Sequence, residues 1–536
     1  MNIKKLKIIT VSFLLLTICF FVTNMSVKSD GPGSEWYTTQ VIATKAEIGW
    51  NTVRIPAICT FADGGLMVAF EARVGSDGSE SDIYYVKSSD NGDTWGNPVQ
   101  WIGSHPDVQG GNDDVGVVNP AFLRDGNRMY FTYTIQPTWY DFYDDEQYNF
   151  LRYSDDNGSS WSDDLTITSL NPSWVDSGTS GPGGEGHSFI QPGGLVLPNG
   201  TLMLPAFGWN CTDTRDYGFS LVSYPGDDPT TLGGWHVADG VIGQSVPQDQ
   251  NEVTYAICDN GTLYSIARER RFTSYPASPP YTTVDNVSPW TAWSEDYSES
   301  WSDPRHWDYY GKTNCRADIT TFSSNVMYDC YSAGNPIFHD KSRILMAQVN
   351  DTTRPSNHDI SWSYDGGQTW DSKTVTGGST GTQVGHYSDI GVLQNGTICF
   401  VAEDGTPGDY QEIYIVRFNL EWLTDSNDYF GSDVQNGDPP HVGGFNSIQG
   451  LTNNSVTNSV IYNFNWSKND SANYYRLQMA NDSTFTDVWF DERINSTTFP
   501  GDYVETGDYI EFTLPSAYRK TWNQDYYFRY ADGSSA

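Results

Sequence analysis

Positive charge is scarce in this 536-residue chain: 29 lysines and arginines stand against 67 aspartates and glutamates, a formal net charge of −38. A field of that sign repels nucleic acid and anionic membrane surfaces, which argues against both as partners. An anionic ligand would need a local cluster of arginines. Histidine (8) and cysteine (7) are also sparse. Beyond Cys19, the cysteines at 59, 211, 258, 315, 330 and 399 are too widely spaced for a zinc pattern. No metal-ligand set, phosphate loop or Ser/Cys–His arrangement competes for the chemistry, and no cofactor is expected. Cys59, Cys258 and Cys399 lie in apolar runs and read as packed thiols, whereas Cys315 and Cys330 are candidates to pair in an oxidising compartment. The main long apolar run is Ile8–Val22, behind Lys4, Lys5 and Lys7. It is too short for a comfortable membrane span, so residues 1–27 read as a secretory signal, with a retained anchor as the alternative. The mature chain is expected outside the cell or in a periplasm, without a membrane span.

Glycine (51), tyrosine (34) and tryptophan (19) are plentiful, and apolar runs are of strand length. That combination indicates an all-β chain rich in turns. One pattern recurs after the signal: a turn, a strand, then a second strand. First strands fall near 65–71, 127–135, 201–207, 262–268, 343–349 and 397–403. Second strands follow near 82–88, 148–154, 217–223, 290–294, 358–363 and 411–417. Six such units imply a six-bladed β-propeller.

Several second strands run into a Ser-x-Asp-x-Gly-x-Thr/Ser-Trp turn, at 88–95, 154–161 and 363–370. At 294–301 the motif is degenerate, with Ser298 where glycine is expected. The aspartate suits turn amides, glycine tolerates positive φ, and tryptophan packs into the blade. Such Asp boxes occur in catalytic and non-catalytic propellers alike, so they speak for architecture more than for chemistry.

Over residues 36–424 the chain resembles the exo-α-sialidases (neuraminidases) of the bacterial and trypanosomal type. The resemblance rests on Arg54-Ile55-Pro56, the Asp boxes, Gly181-Pro182-Gly183, Glu252 sixteen residues before Arg268, Thr353-Arg354, and Tyr387 sixteen residues before Glu403. It implies that Arg54, Arg268 and Arg354 grip the carboxylate of a sialic acid, a task suited to the charged guanidinium fork. It further implies Asp77 as general acid/base, Tyr387 as nucleophile, Glu252 as its base, and Glu403 as the residue that orients Arg54. Sialidases are among the glycosidases that use tyrosine, since a carboxylate nucleophile would face the substrate's own carboxylate. Arg73 and Asn119 match positions lining the sugar pocket near its O4 and acetamido groups. Two departures stand: the loop before Asp77 is two residues short, leaving Asp82 as an alternative, and Arg354 is one residue farther from its Asp box, leaving Arg343 as a competitor.

Residues 425–445 read as a Gly/Pro/Asp/Ser-rich linker. From 446 to 536 the pattern resembles a fibronectin type III-like β-sandwich, more often a spacer or glycan-binding module than an active part. The expected activity is hydrolysis, with retention, of terminal α-linked sialic acids on glycans, glycoproteins or glycolipids by a monomer. A trans-sialidase and a non-catalytic sialoglycan-binding propeller are the alternatives. Rim aromatics such as Trp139 or Tyr140 would govern the choice of acceptor.

Overall fold

The computed structural model describes residues 34–429 except 62, 76–78, 104–114, 138–146, 176–187, 211–214, 244–249, 259–260, 270, 275–281, 285–288, 308–314, 325–336, 339–341, 350–357, 376–385 and 407–408, and it also describes six strands between 463 and 533. The signal, Asp77, Trp139, Tyr140, Gly181–Gly183, Cys211, Cys330 and Arg354 fall outside the described residues.

The two strand types expected in every unit are present. Leu66–Arg73, Arg128–Pro137, Leu202–Asn210, Leu263–Arg268, Arg343–Val349 and Ile398–Thr406 each pair antiparallel with the strand that follows on their outer side. Those partners are Ser81–Ser88, Tyr148–Ser154, Arg215–Ser223, Trp290–Ser294, His358–Ser363 and Asp409–Phe418. A further strand precedes each pair: Thr52–Thr60, Val115–Asp125, Ser188–Ile190, Asn251–Ile257, Asp318–Ser324 and Ser388–Val392. These preceding strands make contacts from sheet to sheet, for example Ser388–Val392 with Thr52–Thr60 and Asn251–Ile257 with Asp318–Ser324. They are therefore the inner strands of a β-propeller arrangement. A single parallel bridge, Ser81 to Gly116, joins two of the four-stranded runs into one eight-stranded sheet.

The chain closes on itself. Its first strand, Tyr37–Thr44, is the outer strand of the last sheet and pairs antiparallel with Asp409–Phe418. Apolar layers fill the spaces between sheets. Val53, Val68 and Phe70 meet Val401 and Ile415 in one layer, and Leu345 and Ile360 meet Phe400 and Tyr414 in another. Full burial of side chains this size contributes about 1.5–3 kcal/mol each. Cys59, Cys258 and Cys399 are buried as expected, and burial pushes the Cys59 and Cys399 thiols up to about 12. Beyond the propeller, Asn463–Ser467, Tyr503–Thr506 and Tyr509–Thr513 form one antiparallel sheet; Tyr474–Ala480, Val488–Ile494 and Tyr527–Gly533 form a second.

The four turns share one hydrogen-bond pattern. The opening serine hydroxyl accepts the amide four residues on, at 2.8–2.9 Å. The aspartate accepts the Thr94, Ser160, Ser300 or Thr369 amide, also at 2.8–2.9 Å. In the degenerate turn, Ser298 takes the left-handed backbone (φ 76°) that Gly92, Gly158 and Gly367 take elsewhere. There Ser298 Oγ, in place of the glycine carbonyl, accepts the turn's tryptophan, Trp301 Nε1, at 3.2 Å. Donated hydrogen bonds hold Asp90 and Asp156 down at about 2. Their contribution is present above the unfolded range near ~4 and is lost as pH falls through about 2.

Packing continues past residue 424. Asn419 caps the one-turn helix Leu420–Leu423, and Asp428 then takes both Nε and Nη2 of buried Arg343, at 2.7 and 2.8 Å. Arg343 is thus tied to the end of the propeller.

Trp370 is buried between Tyr264 and Trp307 while its Nε1 donates to Gly367 O at 3.1 Å. Trp370→Ala is expected to destabilise the propeller by ~3–5 kcal/mol, read as a lower urea midpoint. A change below ~1 kcal/mol would show that the turn tryptophan does not carry the blade.

Candidate active site

Three inner strands carry the same irregularity near their first residues. Ile55, Asn119 and Glu252 adopt left-handed backbone (φ 51°, 55° and 48°), and the strand register slips at each. A branched or charged residue in that region costs on the order of 1–3 kcal/mol, so something must hold it. At two of the bulges a buried carboxylate does. Glu403 Oε2 accepts the Ile55 amide at 2.9 Å and Arg54 Nε at 2.8 Å, while its Oε1 accepts the Tyr387 amide at 3.1 Å. Glu71 repeats this at the next inner strand: Oε1 accepts the Asn119 amide at 2.8 Å, and Oε2 accepts Arg73 Nε at 2.6 Å. Such bulges re-aim side chains away from the regular strand alternation.

The re-aimed residues meet at one end of the propeller, where inner strands begin and the next strands end. The Tyr387 hydroxyl donates to Glu252 Oε1 at 2.6 Å. Arg268 Nη1 donates to Glu252 Oε2 at 2.9 Å and to the Tyr387 oxygen at 3.1 Å. The Arg54 guanidinium stands 5.6 Å from the Tyr387 ring centre and 4.1 Å from that of Tyr410. His386, beside Tyr387 in sequence, packs edge-on against Tyr410 (4.9 Å, 85°) and so supports the ring under Arg54. Burial pushes the Glu252 carboxyl upward, but Arg268, the Tyr387 hydroxyl and Arg316 outweigh it and hold the group below the usual carboxylate range. Glu71 shows the reverse balance: burial wins over Arg73 and raises it.

Of the nine residues singled out, Arg54, Glu252, Arg268, Tyr387 and Glu403 are joined directly, with Arg73 and Asn119 linked through Glu71. Asp77 and Arg354 lie outside the described residues. Asp82 accepts Gln100 Nε2 at 2.6 Å and sits opposite Ala72 in the ladder, on the face away from Glu71 and Arg73. The sequence reading missed Glu71, Tyr410, Arg316 and Asp318. For Glu71 a signal was present, since a glutamate inside an apolar strand two residues before Arg73 needs a partner. Arg316-Ala317-Asp318 had none, because it resembles any charged loop. Among the described residues, no group of histidine, cysteine or acidic side chains is placed to hold a metal ion, and no helix is long and apolar enough to cross a membrane.

No family model matches the chain. A curated sialidase from Paraclostridium sordellii is 25% identical over 311 residues, covering 54% of this chain and 69% of its own. Over that stretch the chain is similar to a sialidase. Solved sialidase structures share its fold at low identity. The Hadza microbial sialidase Hz136 superposes with a TM-score of 0.55 at 17% identity, over 72% of this chain and 69% of that one. The leech intramolecular trans-sialidase, solved with 2,7-anhydro-Neu5Ac, gives 0.52 at 15% identity over 72% and 71%. The sialidase fold is thus common to hydrolases and trans-sialidases.

Glu403→Ala would strip one acceptor from Arg54 and two backbone amides at once. A buried charge left unpaired costs about 3–5 kcal/mol, and a loss of that size is expected by chemical denaturation. A loss under ~1 kcal/mol would show that the carboxylate does not hold the bulge in solution.

Proposed function

We propose that this chain is a retaining exo-α-sialidase that releases terminal α-linked sialic acids from glycans, glycoproteins or glycolipids. The observation that carries the reading is the Tyr387–Glu252–Arg268 cluster: a phenol donating to a carboxylate held ionised, inside a ring of arginines. Tyrosine is a weak nucleophile at neutral pH, with an ordinary pKa near ~10, and needs a base within hydrogen-bond reach. Arg54, Arg268 and Arg354 bind the substrate carboxylate. Tyr387 passes its proton to Glu252 and its oxygen attacks the anomeric carbon, while Asp77 protonates the departing glycosidic oxygen. Asp77 then takes a proton from water, which attacks the same carbon. The bond to Tyr387 breaks, and Glu252 returns the proton to the phenol. Two displacements retain configuration. Arg73 and Asn119 line the pocket for the rest of the sugar.

In this reading the eight-stranded sheet counts as two blades of a six-bladed propeller, the turns are Asp boxes, and the strands after 463 form an accessory β-sandwich. The enzyme is exported and acts as a monomer. The fold shared with an intramolecular trans-sialidase supports a second reading, in which the sialyl group passes to a hydroxyl rather than to water.

Proton NMR during early turnover of an α-sialoside is expected to show the α-anomer first. A β-anomer would rule out the double displacement, and a 2,7-anhydro sugar would favour intramolecular transfer. Glu252→Gln is expected to lower kcat by ~10²–10⁴, and Tyr387→Phe by at least as much while still binding sialic acid; full activity in either would remove these roles. Because Arg268 and the Tyr387 hydroxyl hold Glu252 below the usual carboxylate range, the acid limb of kcat/KM should lie below that of an ordinary glutamate if Glu252 sets it. A chain ending after Tyr429, which keeps Asp428 on Arg343, is expected to retain activity on a small soluble sialoside. Loss of activity in the folded truncation would give the C-terminal module a part in the site.

A further inference from the structure

One charge in the cluster faces no opening. Arg316 is 1% exposed, and its donors go to protein acceptors: Nε to Asp318 Oδ1 at 2.5 Å, Nη2 to Ser388 O at 3.0 Å, and Nη1 toward Gln191 Oε1 at 3.4 Å. Those contacts lock its plane, and its central carbon lies 5.5 Å from the Tyr387 ring centre. We propose that Arg316 is a positioning residue for Tyr387: its buried guanidinium, fixed by Asp318 and Ser388, holds the phenol toward Glu252 and stabilises the negative charge its oxygen takes on.

Among the described residues, charge faces Tyr387 from four elements. Glu252 stands on Asn251–Ile257, Arg268 on Leu263–Arg268, Arg54 on Thr52–Thr60, and Arg316 just before Asp318–Ser324. Glu403 reaches only the Tyr387 backbone amide, and Asp318 and Asp389 lie behind Arg316. As Tyr387 passes its proton to Glu252, negative charge moves from carboxylate to phenol oxygen. Arg54 and Arg268 are then engaged by the bound substrate. Arg316 is held by protein acceptors and not by the substrate, a preorganised contribution. Its charge is only partly offset. Burial raises both Asp318 and Asp389 above the usual carboxylate range, and the nearby Asp389 raises Asp318 further, so the two acids do not both ionise against it near neutrality. The guanidinium also lies near the electron-rich ring, where attraction grows as the phenol ionises.

This inference rests on Tyr387 as nucleophile, and its test separates the two. The protein is labelled with ¹³Cζ-tyrosine, and the Tyr387 signal is assigned by its loss in Tyr387→Phe. Arg316→Gln/Asp318→Asn removes the guanidinium charge and replaces Asp318, itself raised toward the neutral acid, with a neutral amide, so the net change is the loss of one positive charge while hydrogen-bonding groups remain. A charge about 6 Å away at an effective dielectric near ~20 is large enough for Tyr387 to ionise about tenfold less readily in that variant. On a fluorogenic sialoside, kcat at neutral pH is expected to fall about tenfold with KM within about twofold. Unchanged titration of Tyr387 overturns the proposal, as does a rise in KM at constant kcat, which would make Arg316 a substrate ligand. If the amide pair does not fold, Arg316→Met/Asp318→Leu, the apolar replacement that buried pairs often tolerate, gives the same readouts. A wild-type protein inert toward sialosides sinks the enzyme reading, while the titration still judges Arg316.

Discussion

The carboxylate of Glu403 is the contact on which the site depends. It is fully buried, and it joins the last inner strand to the first through three hydrogen bonds. Ile55 could not stay in left-handed backbone without that acceptor, and without the bulge Arg54 would follow the regular alternation of its strand. Ring closure makes the contact available. The outer strand Tyr37–Thr44 clamps the sheet that carries Glu403 beside the strand that carries Arg54, 349 residues apart in sequence. Glu71 repeats the device within the eight-stranded sheet, where one carboxylate fixes both a bulge amide and an arginine.

Electrostatics run opposite ways at two scales. Over the surface the chain is strongly acidic, with a formal charge of −38. At one end of the propeller, Arg54, Arg268 and Arg316 surround a single phenol. Each is held by a carboxylate of its own: Glu403, Glu252 and Asp318. Buried pairs of this kind add little net stability, because desolvation offsets the attraction. Their gain is geometric, in arginines that cannot relax toward water and carboxylates that cannot turn away. Arg343 with Asp428 shows the same chemistry used to anchor the chain's exit from the propeller.

Local physics made much of this legible in sequence. Each first and second strand fell within a few residues of its expected place, because strand-length apolar runs bounded by glycine and serine–aspartate turns leave few alternatives. The turn at 294–301 was recognisable despite Ser298, since the serine, aspartate and tryptophan positions carry the hydrogen bonds. The inner strands were not singled out. Arg54-Ile55-Pro56 and Asn251-Glu252-Val253 interrupt their alternation with charge and proline, and the bulges that excuse those residues are paired by distant chain.

By itself, then, the sequence determined an all-β repeat fold, its strand positions, its turn chemistry and an arginine-rich set of candidate residues, because these depend on neighbours within a few positions. Tertiary structure alone decided that Tyr387 donates to Glu252, that Glu71 serves Arg73 and Asn119 together, that Asp82 faces elsewhere, and that Arg316 lies against the tyrosine ring. Apart from Arg73, which stands two residues from Glu71, those partners lie 18 to 135 residues apart, and no local rule relates them. Only the closing of sheets around one axis brings them within hydrogen-bond distance.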